Sequence, residues 1–156
     1  MPPGSARYDE DPLKPSTVVS VNKRGKVEPI VAKTTPVLPN VPVAVLVDHD
    51  TASSAELLTA ALQELRQATV VGSKTQGKWT VQTLDDLPNG FALKYTVGVF
   101  SSPGGKSYEG TGLTPDVEVD MTDDAIHAAQ AITDPVKRLT EDAQLRTAVA
   151  VLTKGR

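Results

Sequence analysis

Residues 48–82 read DHDTASSAELLTAALQELRQATVVGSKTQGKWTVQ, and the fold follows from this stretch. It is preceded by an apolar run, PVAVLV at 42–47, which reads as a strand buried on both faces. The polar turn Asp48-His49-Asp50-Thr51 ends that strand. A helix is predicted over 54–66, because Leu57, Leu58, Ala61, Leu62 and Leu65 follow the i, i+3, i+4 pattern. A second short strand follows at 69–71, then Gly77-Lys78, then an alternating segment carrying Gln82. Strand, helix and strand make a βαβ unit. Its polar residues fall beyond the carboxyl ends of the strands, where open α/β sheets hold their chemistry.

The same residues suggest a nucleophile and a base. Ser53 stands at the N-terminus of the predicted helix. Helix N-termini offer unpaired N–H groups and partial positive charge. The Ser54 amide is therefore a natural donor to an oxyanion. A serine hydroxyl is a weak nucleophile without a base. Lys78 can serve if burial, with Trp79 and the adjoining strands as cover, favours its neutral form. Side chains alternate along a strand, so Lys78, Thr80 and Gln82 share one face and Trp79 and Val81 the other. Gln82 is then placed to orient the lysine.

Three segments carry a family resemblance: TASSAELL at 51–58, VVGSKTQGK at 70–78 and KWTVQ at 78–82. In order and spacing they resemble the protease domain of the tail-specific, or C-terminal processing, serine peptidases. The resemblance continues through LPNGFALKYTVGVFSSPGGKSYEGTGLTPDVEV and covers roughly residues 17–120. It implies Ser53 as nucleophile, Lys78 as general base and Gln82 as the residue orienting the lysine. It also implies a crotonase-like α/β fold, a mixed β-sheet with packed helices in a single domain. The family usually reads S-A-S-E where this chain has Ser53-Ser54-Ala55-Glu56, so Ser54 stays open as the reactive serine. Gln76 stands where the family commonly has Phe. The family's upstream R-x-N-x-G-G turn, a second oxyanion donor, and its peptide-binding PDZ module are not in the sequence. On this reading residues 17–153 are the C-terminal part of such a protease domain, and 1–16 an irregular lead-in.

Further elements flank this centre. TVVSVN at 17–22 and 27–32 read as a hairpin around Gly25, with Pro29 marking an edge strand. Residues 34–42 form a proline-rich connection. Pro88-Asn89-Gly90 is a turn, after which 91–100 pairs antiparallel with 78–84. Residues 101–114 read as a loop that sets Lys106 and Tyr108 at the mouth of a cleft, and 115–119 as a last strand. A helix over 121–132 has Thr122 as cap and His127 on its surface. A final helix runs from Pro135 to about Thr153, with Val136, Leu139, Ala143, Leu145, Val149 and Leu152 packing on the sheet.

Composition narrows the class. The 156 residues are 39% hydrophobic, enough for one globular domain with a core. The net charge is −3 and no basic patch interleaves with aromatics, which argues against a nucleic-acid partner. Cysteine is absent, which excludes a disulfide framework, a cysteine nucleophile and a Cys-based zinc site. Asp48, Asp50, Asp85 and Asp86 fit no calcium-loop spacing and read as solvated turn residues. No metal, nucleotide or other cofactor is expected. No run is long enough to span a membrane, and no signal peptide is visible. The resemblance nevertheless implies the cell envelope, periplasm or another extracytoplasmic compartment. The oligomeric state is not legible.

Each candidate has a plainer reading. Ser-Ser-Ala-Glu also fits a capping box, with Ser53 as N-cap and Glu56 structural. Lys78 alone is an ordinary surface lysine, and the Lys78 and Gln82 spacing turns the balance toward a Ser-Lys site. His49 invites a Ser-His-Asp reading, but four residues before Ser53 on one turn it is awkwardly placed. The expected function is a Ser-Lys endopeptidase acting on polypeptides near unstructured, apolar C-terminal tails. The competing expectation is a non-catalytic ligand- or peptide-binding module on the same fold. Acyl-CoA chemistry is a third reading, by fold analogy alone.

Overall fold

The computed structural model describes residues 16–32 and 41–154. The lead-in at 1–15 and most of the proline-rich connection lie outside these residues. The element order is β1 (Thr17–Lys23), β2 (Lys26–Val31), β3 (Ala44–Val47), α1 (Ser54–Arg66), β4 (Thr69–Gly72), β5 (Thr80–Asp86), β6 (Ala92–Ser101), β7 (Val117–Glu118), α2 (Asp123–Gln130), α3 (Pro135–Glu141) and α4 (Ala143–Lys154).

The protein is α/β, as expected, but its strands divide into two sheets. One is antiparallel, in the order β2-β1-β6-β5; the other is parallel, in the order β3-β4-β7. The hairpin β1–β2 turns through Arg24 and Gly25, both at positive φ, and leaves Pro29 on an edge strand where its missing N–H is harmless. The second hairpin, β5–β6, pairs as predicted, with an irregularity between Val81 and Gln82. In the parallel sheet, β3, α1 and β4 form the βαβ unit, with Ala44 opposite Thr69 and Val47 opposite Gly72. The ends of these strands approach so closely that a Cβ on Gly72 would lie 1.9 Å from the Val47 carbonyl oxygen.

Burial departs from expectation in three places. β3 is an edge strand of its sheet, so only Val47 is buried and Leu46 is exposed. Helix α1 buries Glu56, Thr59, Ala60 and Ala61, while Leu58 is exposed. The helix is rotated about its axis so that Glu56, rather than Leu58, faces inward. The core beneath it is Ala60, Trp79 and Leu113, with Leu57, Phe100 and Tyr108 packed around them.

The C-terminal helix predicted as one is two. Asp142 breaks it with extended backbone at φ −86°, ψ 104°, and its carboxylate accepts the Leu145 N–H at 2.9 Å, capping α4. Asp142 is buried and lies 3.5 Å from the Arg138 guanidinium. Helix α4 packs on β3 and β4 through Ala148, whereas Val136, Leu139 and Val149 are exposed. Helix α2 is shorter than predicted and begins where expected, with Thr122 Oγ1 accepting from Ala125 N–H. His127 is on the surface.

Candidate active site

The turn that delivers Ser53 is built by Asp48. Its carboxylate accepts the N–H groups of Asp50 and Thr51 and the Thr51 hydroxyl, at 2.9–3.1 Å. The Thr51 oxygen in turn accepts the Asp48 N–H. The chain then enters α1 through Ser53 at φ 55°, ψ −121°. Two other described non-glycine residues have positive φ, and each has an ordinary reason: Arg24 sits at a hairpin tip, and Gln67 is a left-handed helix cap. Ser53 has neither excuse, because its ψ lies outside the left-handed helical region. The turn between strand and helix thus holds Ser53 in a strained backbone conformation. The hydroxyl faces the Glu56 N–H as in a capping box, yet makes no cap hydrogen bond of standard geometry. Among the described residues no acceptor takes the Ser54 N–H.

Glu56 holds the site together. One carboxylate oxygen, Oε2, accepts the N–H of Ser53 at 3.0 Å and of Lys78 at 2.8 Å. The other, Oε1, accepts the Thr75 hydroxyl at 2.6 Å and the Gly77 N–H at 2.8 Å. Ser53 and Lys78, twenty-five positions apart in sequence, thus hang from one oxygen atom. Their amide nitrogens are no farther apart than those two bonds laid end to end. Burial pushes the Glu56 carboxyl up, but the bonds from Thr75, Lys78, Gly77 and Ser53 outweigh it and hold the group below its ordinary value.

The lysine loop is fixed from its far side too. Thr75 Oγ1 accepts the Leu113 N–H at 2.7 Å, and Thr75 N–H donates to the Leu113 carbonyl at 3.1 Å. Gly110 N–H donates to the Gly77 carbonyl at 2.8 Å. A Cβ on Gly77 would meet the Gly112 nitrogen at 2.5 Å, and one on Gly112 the Thr75 carbonyl oxygen at 2.0 Å. The two loops interlock through glycine because nothing larger lets their backbones touch.

The predicted site residues are placed unequally. The backbones of Ser53 and Lys78 are brought together, while the Lys78 side chain is exposed and forms no hydrogen bond or ion pair among the described residues. Trp79 does not cover it: its ring is fully buried in the core, 5.0 Å from Tyr108. Gln82 is exposed, opposite Thr96 on β6, and its carboxamide has no partner among the described residues. His49 turns away, 3.4 Å from Asp123 at the start of α2, so it makes no triad with Ser53. Tyr108 is half-buried against Trp79, and Lys106 lines a shallow depression with Glu64, Leu65, Pro103 and Gly104. Among the described residues, no three His, Asp or Glu side chains converge as metal ligands would. The role that sequence reasoning missed is that of Glu56. Its position in S-x-x-E explains one of its four bonds, and the other three reach across 19 to 22 positions.

An α/β scaffold with a serine at a strand-to-helix turn, tied through Glu56 to a Gly-Lys loop, is compatible with a serine hydrolase. Within that class the chain belongs to peptidase family S41, whose sequence pattern matches residues 9–119. It is similar to a carboxyl-terminal-processing protease of Synechocystis, 33% identical over 144 residues, 92% of this chain and 32% of the relative. It is also similar to a carboxy-terminal-processing protease of Bartonella bacilliformis, 39% identical over 80 residues, 51% of this chain and 18% of the relative. Among solved structures it resembles a photosystem II D1 C-terminal processing protease, with a TM-score of 0.63 and 29% identity, covering 68% of this chain and 28% of that one. The chain thus spans a third or less of the length of these relatives.

Proposed function

We propose that this chain carries the nucleophile and base of a serine endopeptidase that cleaves polypeptides near unstructured, apolar C-terminal tails. One observation carries the reading: Ser53, in a strained conformation at the head of α1, shares a carboxylate oxygen with Lys78. In the reaction the Lys78 amine, in its neutral form, takes the proton from Ser53 Oγ, which attacks the scissile carbonyl. The Ser54 N–H, pointing from the helix terminus, stabilises the oxyanion. The protonated lysine returns its proton to the leaving amine, and water then releases the acyl group from Ser53. Lys78 is exposed here, so exclusion of water from its amine would come with the bound polypeptide. Gln82, on the strand that follows, orients the amine from there.

Several narrower readings go with this one. The parallel β3-β4-β7 sheet with its α1 crossover, beside a separate antiparallel sheet, supports a crotonase-like architecture of which residues 17–153 form the C-terminal part. An extracytoplasmic location is supported by the resemblance to a structure titled a lipoprotein from Streptococcus agalactiae, at a TM-score of 0.57 and 27% identity. No described helix is long and apolar enough to cross a membrane. The partners are polypeptides rather than nucleic acid, in keeping with the net charge of −3.

The test is digestion of a reduced, unfolded test protein by the natural full-length protein, read by mass spectrometry. Cleavage is expected to vanish in Ser53→Ala and Lys78→Ala, to persist in Ser54→Ala, and to weaken in Gln82→Ala. Cleavage that survives Ser53→Ala and disappears in Ser54→Ala would move the nucleophile by one residue. Cleavage that survives both Ser53→Ala and Lys78→Ala would overturn the reading.

A further inference from the structure

Lys78 is gripped on one side by a buried carboxylate, Glu56, and its chain neighbour is gripped on the other by an exposed one. Glu109 reaches back thirty positions and accepts the Trp79 N–H. We infer that Glu109 is a positioning residue for the Ser-Lys site, fixing the lysine through the peptide unit that joins Lys78 to Trp79. The inference rests on the reading of Lys78 as base.

Three observations separate this from an incidental surface contact. First, the acceptor is an exposed side chain, while the residue it binds is wholly buried, so the bond reaches inward from solvent. An amide N–H in such a place needs an acceptor, and a carboxylate is a stronger one than water. Second, Trp79 is also held through its carbonyl and its ring. Its carbonyl accepts the Phe100 N–H at 2.8 Å, and its ring fills the core with Ala60 and Leu113. The bond from Glu109 fixes the amide side of this residue, and the orientation of the peptide joining it to Lys78 bears on the direction in which Lys78 leaves the backbone. Third, the segment carrying Glu109 is itself docked. Tyr108 lies against the Trp79 ring, and Gly110 N–H donates to the Gly77 carbonyl. Gly110 and Gly112, both at φ +69°, give the turn that brings Glu109 back over the lysine loop. The result is a strap across residues 77–79, with Glu56 beneath it and Glu109 at its outer end.

Positioning of this kind affects rate more than binding, because a displacement of about 1 Å in a reacting group can lower a rate about a hundredfold. The experiment compares Glu109→Gln, Glu109→Asp and Glu109→Ala in the natural full-length protein. Glu109→Gln keeps the reach and an accepting oxygen but loses the charge. Glu109→Asp keeps the charge but falls one methylene short. The readouts are the rate of labelling of Ser53 by a fluorophosphonate probe and the kcat and KM for a chromogenic peptide, with folding checked by thermal unfolding. The expected result is that Glu109→Ala and Glu109→Asp lose about ten- to a hundredfold in labelling rate and kcat with KM unchanged, while Glu109→Gln stays within about threefold of the parent. Because Glu109 is exposed, the variants are expected to fold, and Glu109→Gln against Glu109→Asp decides the matter even if Glu109→Ala does not. Glu109→Asp labelling at the parent rate while Lys78→Ala labels slowly would overturn the inference and leave the Ser-Lys reading standing. Glu109→Gln as slow as Glu109→Ala would overturn it as well, by showing that the charge matters and the bond does not. Lys78→Ala labelling at the parent rate would overturn the Ser-Lys reading itself.

Discussion

Two regions of this protein use glycine at positive φ for opposite ends. In the crossing of residues 75–79 with 108–113, Gly77 and Gly112 let two backbones meet, and a Cβ on either would strike main-chain atoms within 2.5 Å. At the tip of the β5–β6 hairpin, Gly90 has a similar φ of +79°, yet a Cβ there would meet nothing within 4 Å. Around the first region Glu56, Thr75 and Trp79 are buried and bonded. Around the second, Leu84, Leu87, Phe91, Leu93 and Tyr95 are exposed. The first is an interlocked crossing with little freedom to vary; the second is a projecting ribbon with mostly exposed side chains.

The sharpest break of this contrast is a pair of identical substitutions. Gly112→Ala drives a methyl group to 2.0 Å from the Thr75 carbonyl oxygen, where backbone must move and the Thr75–Leu113 bonds must open. It is expected to lose more than about 4 kcal/mol, or to fail to fold. Gly90→Ala meets only the backbone penalty and is expected to lose about 1 kcal/mol. Chemical denaturation of both measures the difference. Equal losses would show that backbone conformation, not interlocking, dominates at Gly112.

Next in size is Glu56. Glu56→Gln keeps one accepting oxygen and turns an amide nitrogen toward N–H donors, so about 3 kcal/mol is expected to go. The loss has a pH signature. The folded pKa of Glu56 lies below its ordinary value of 4.5, so the unfolded chain binds this proton more tightly. Its contribution is complete above about pH 5 and is lost as the pH falls through the folded pKa. Denaturation curves of parent and Glu56→Gln are therefore expected to differ most near pH 7 and to converge as the pH falls through the folded pKa of Glu56. A gap that stays constant with pH would mean the carboxylate is not the source of the stabilisation.

How much of this could be read beforehand depended on how local the cause was. Helix α1 appeared at its predicted bounds because periodicity and a terminal serine lie side by side in sequence. The hairpins appeared because glycine at φ > 0 marks the turn wherever it occurs. The rotation of α1 was hidden: Leu58 looks like a core residue until Glu56 claims the inward face to reach Thr75 and Gly77. The exposure of Lys78 was hidden for a related reason. Alternation put Trp79 on the opposite side, correctly, but the ring was then expected to cover the lysine as well, which one side chain cannot do. Ser53 and Lys78 were legible as a spacing; the oxygen that joins them was not, since no pattern along the chain shows which donors a carboxylate collects.

The break between α3 and α4 offers a smaller test. Asp142 sits inside a run that looks continuously helical, and its side chain decides otherwise by capping Leu145 and facing Arg138. Asp142→Ala removes the cap and leaves Arg138 without that partner, so about 1–2 kcal/mol is expected to be lost. Asn keeps the cap and is expected to recover more than half of that, in thermal unfolding of the three proteins. If Asn recovers nothing, the Arg138 contact, rather than the cap, is what holds the break.

The smallest effect belongs to the ribbon. Phe91 is 70% exposed beside the Gly90 turn, and its N–H bonds to the Asn89 side chain whatever residue 91 carries. Its backbone carbonyl accepts the Leu87 N–H at 2.7 Å, closing the turn without help from the ring. Phe91→Ser is thus expected to change stability by no more than about 0.5 kcal/mol. Solubility should rise at the same time, because an exposed aromatic at the end of an apolar ribbon favours association. Denaturation and light scattering of the same preparation test both halves. A loss above about 1.5 kcal/mol would show that the ring is covered in solution, and the contrast between a fixed crossing and a free ribbon would then fail at its free end.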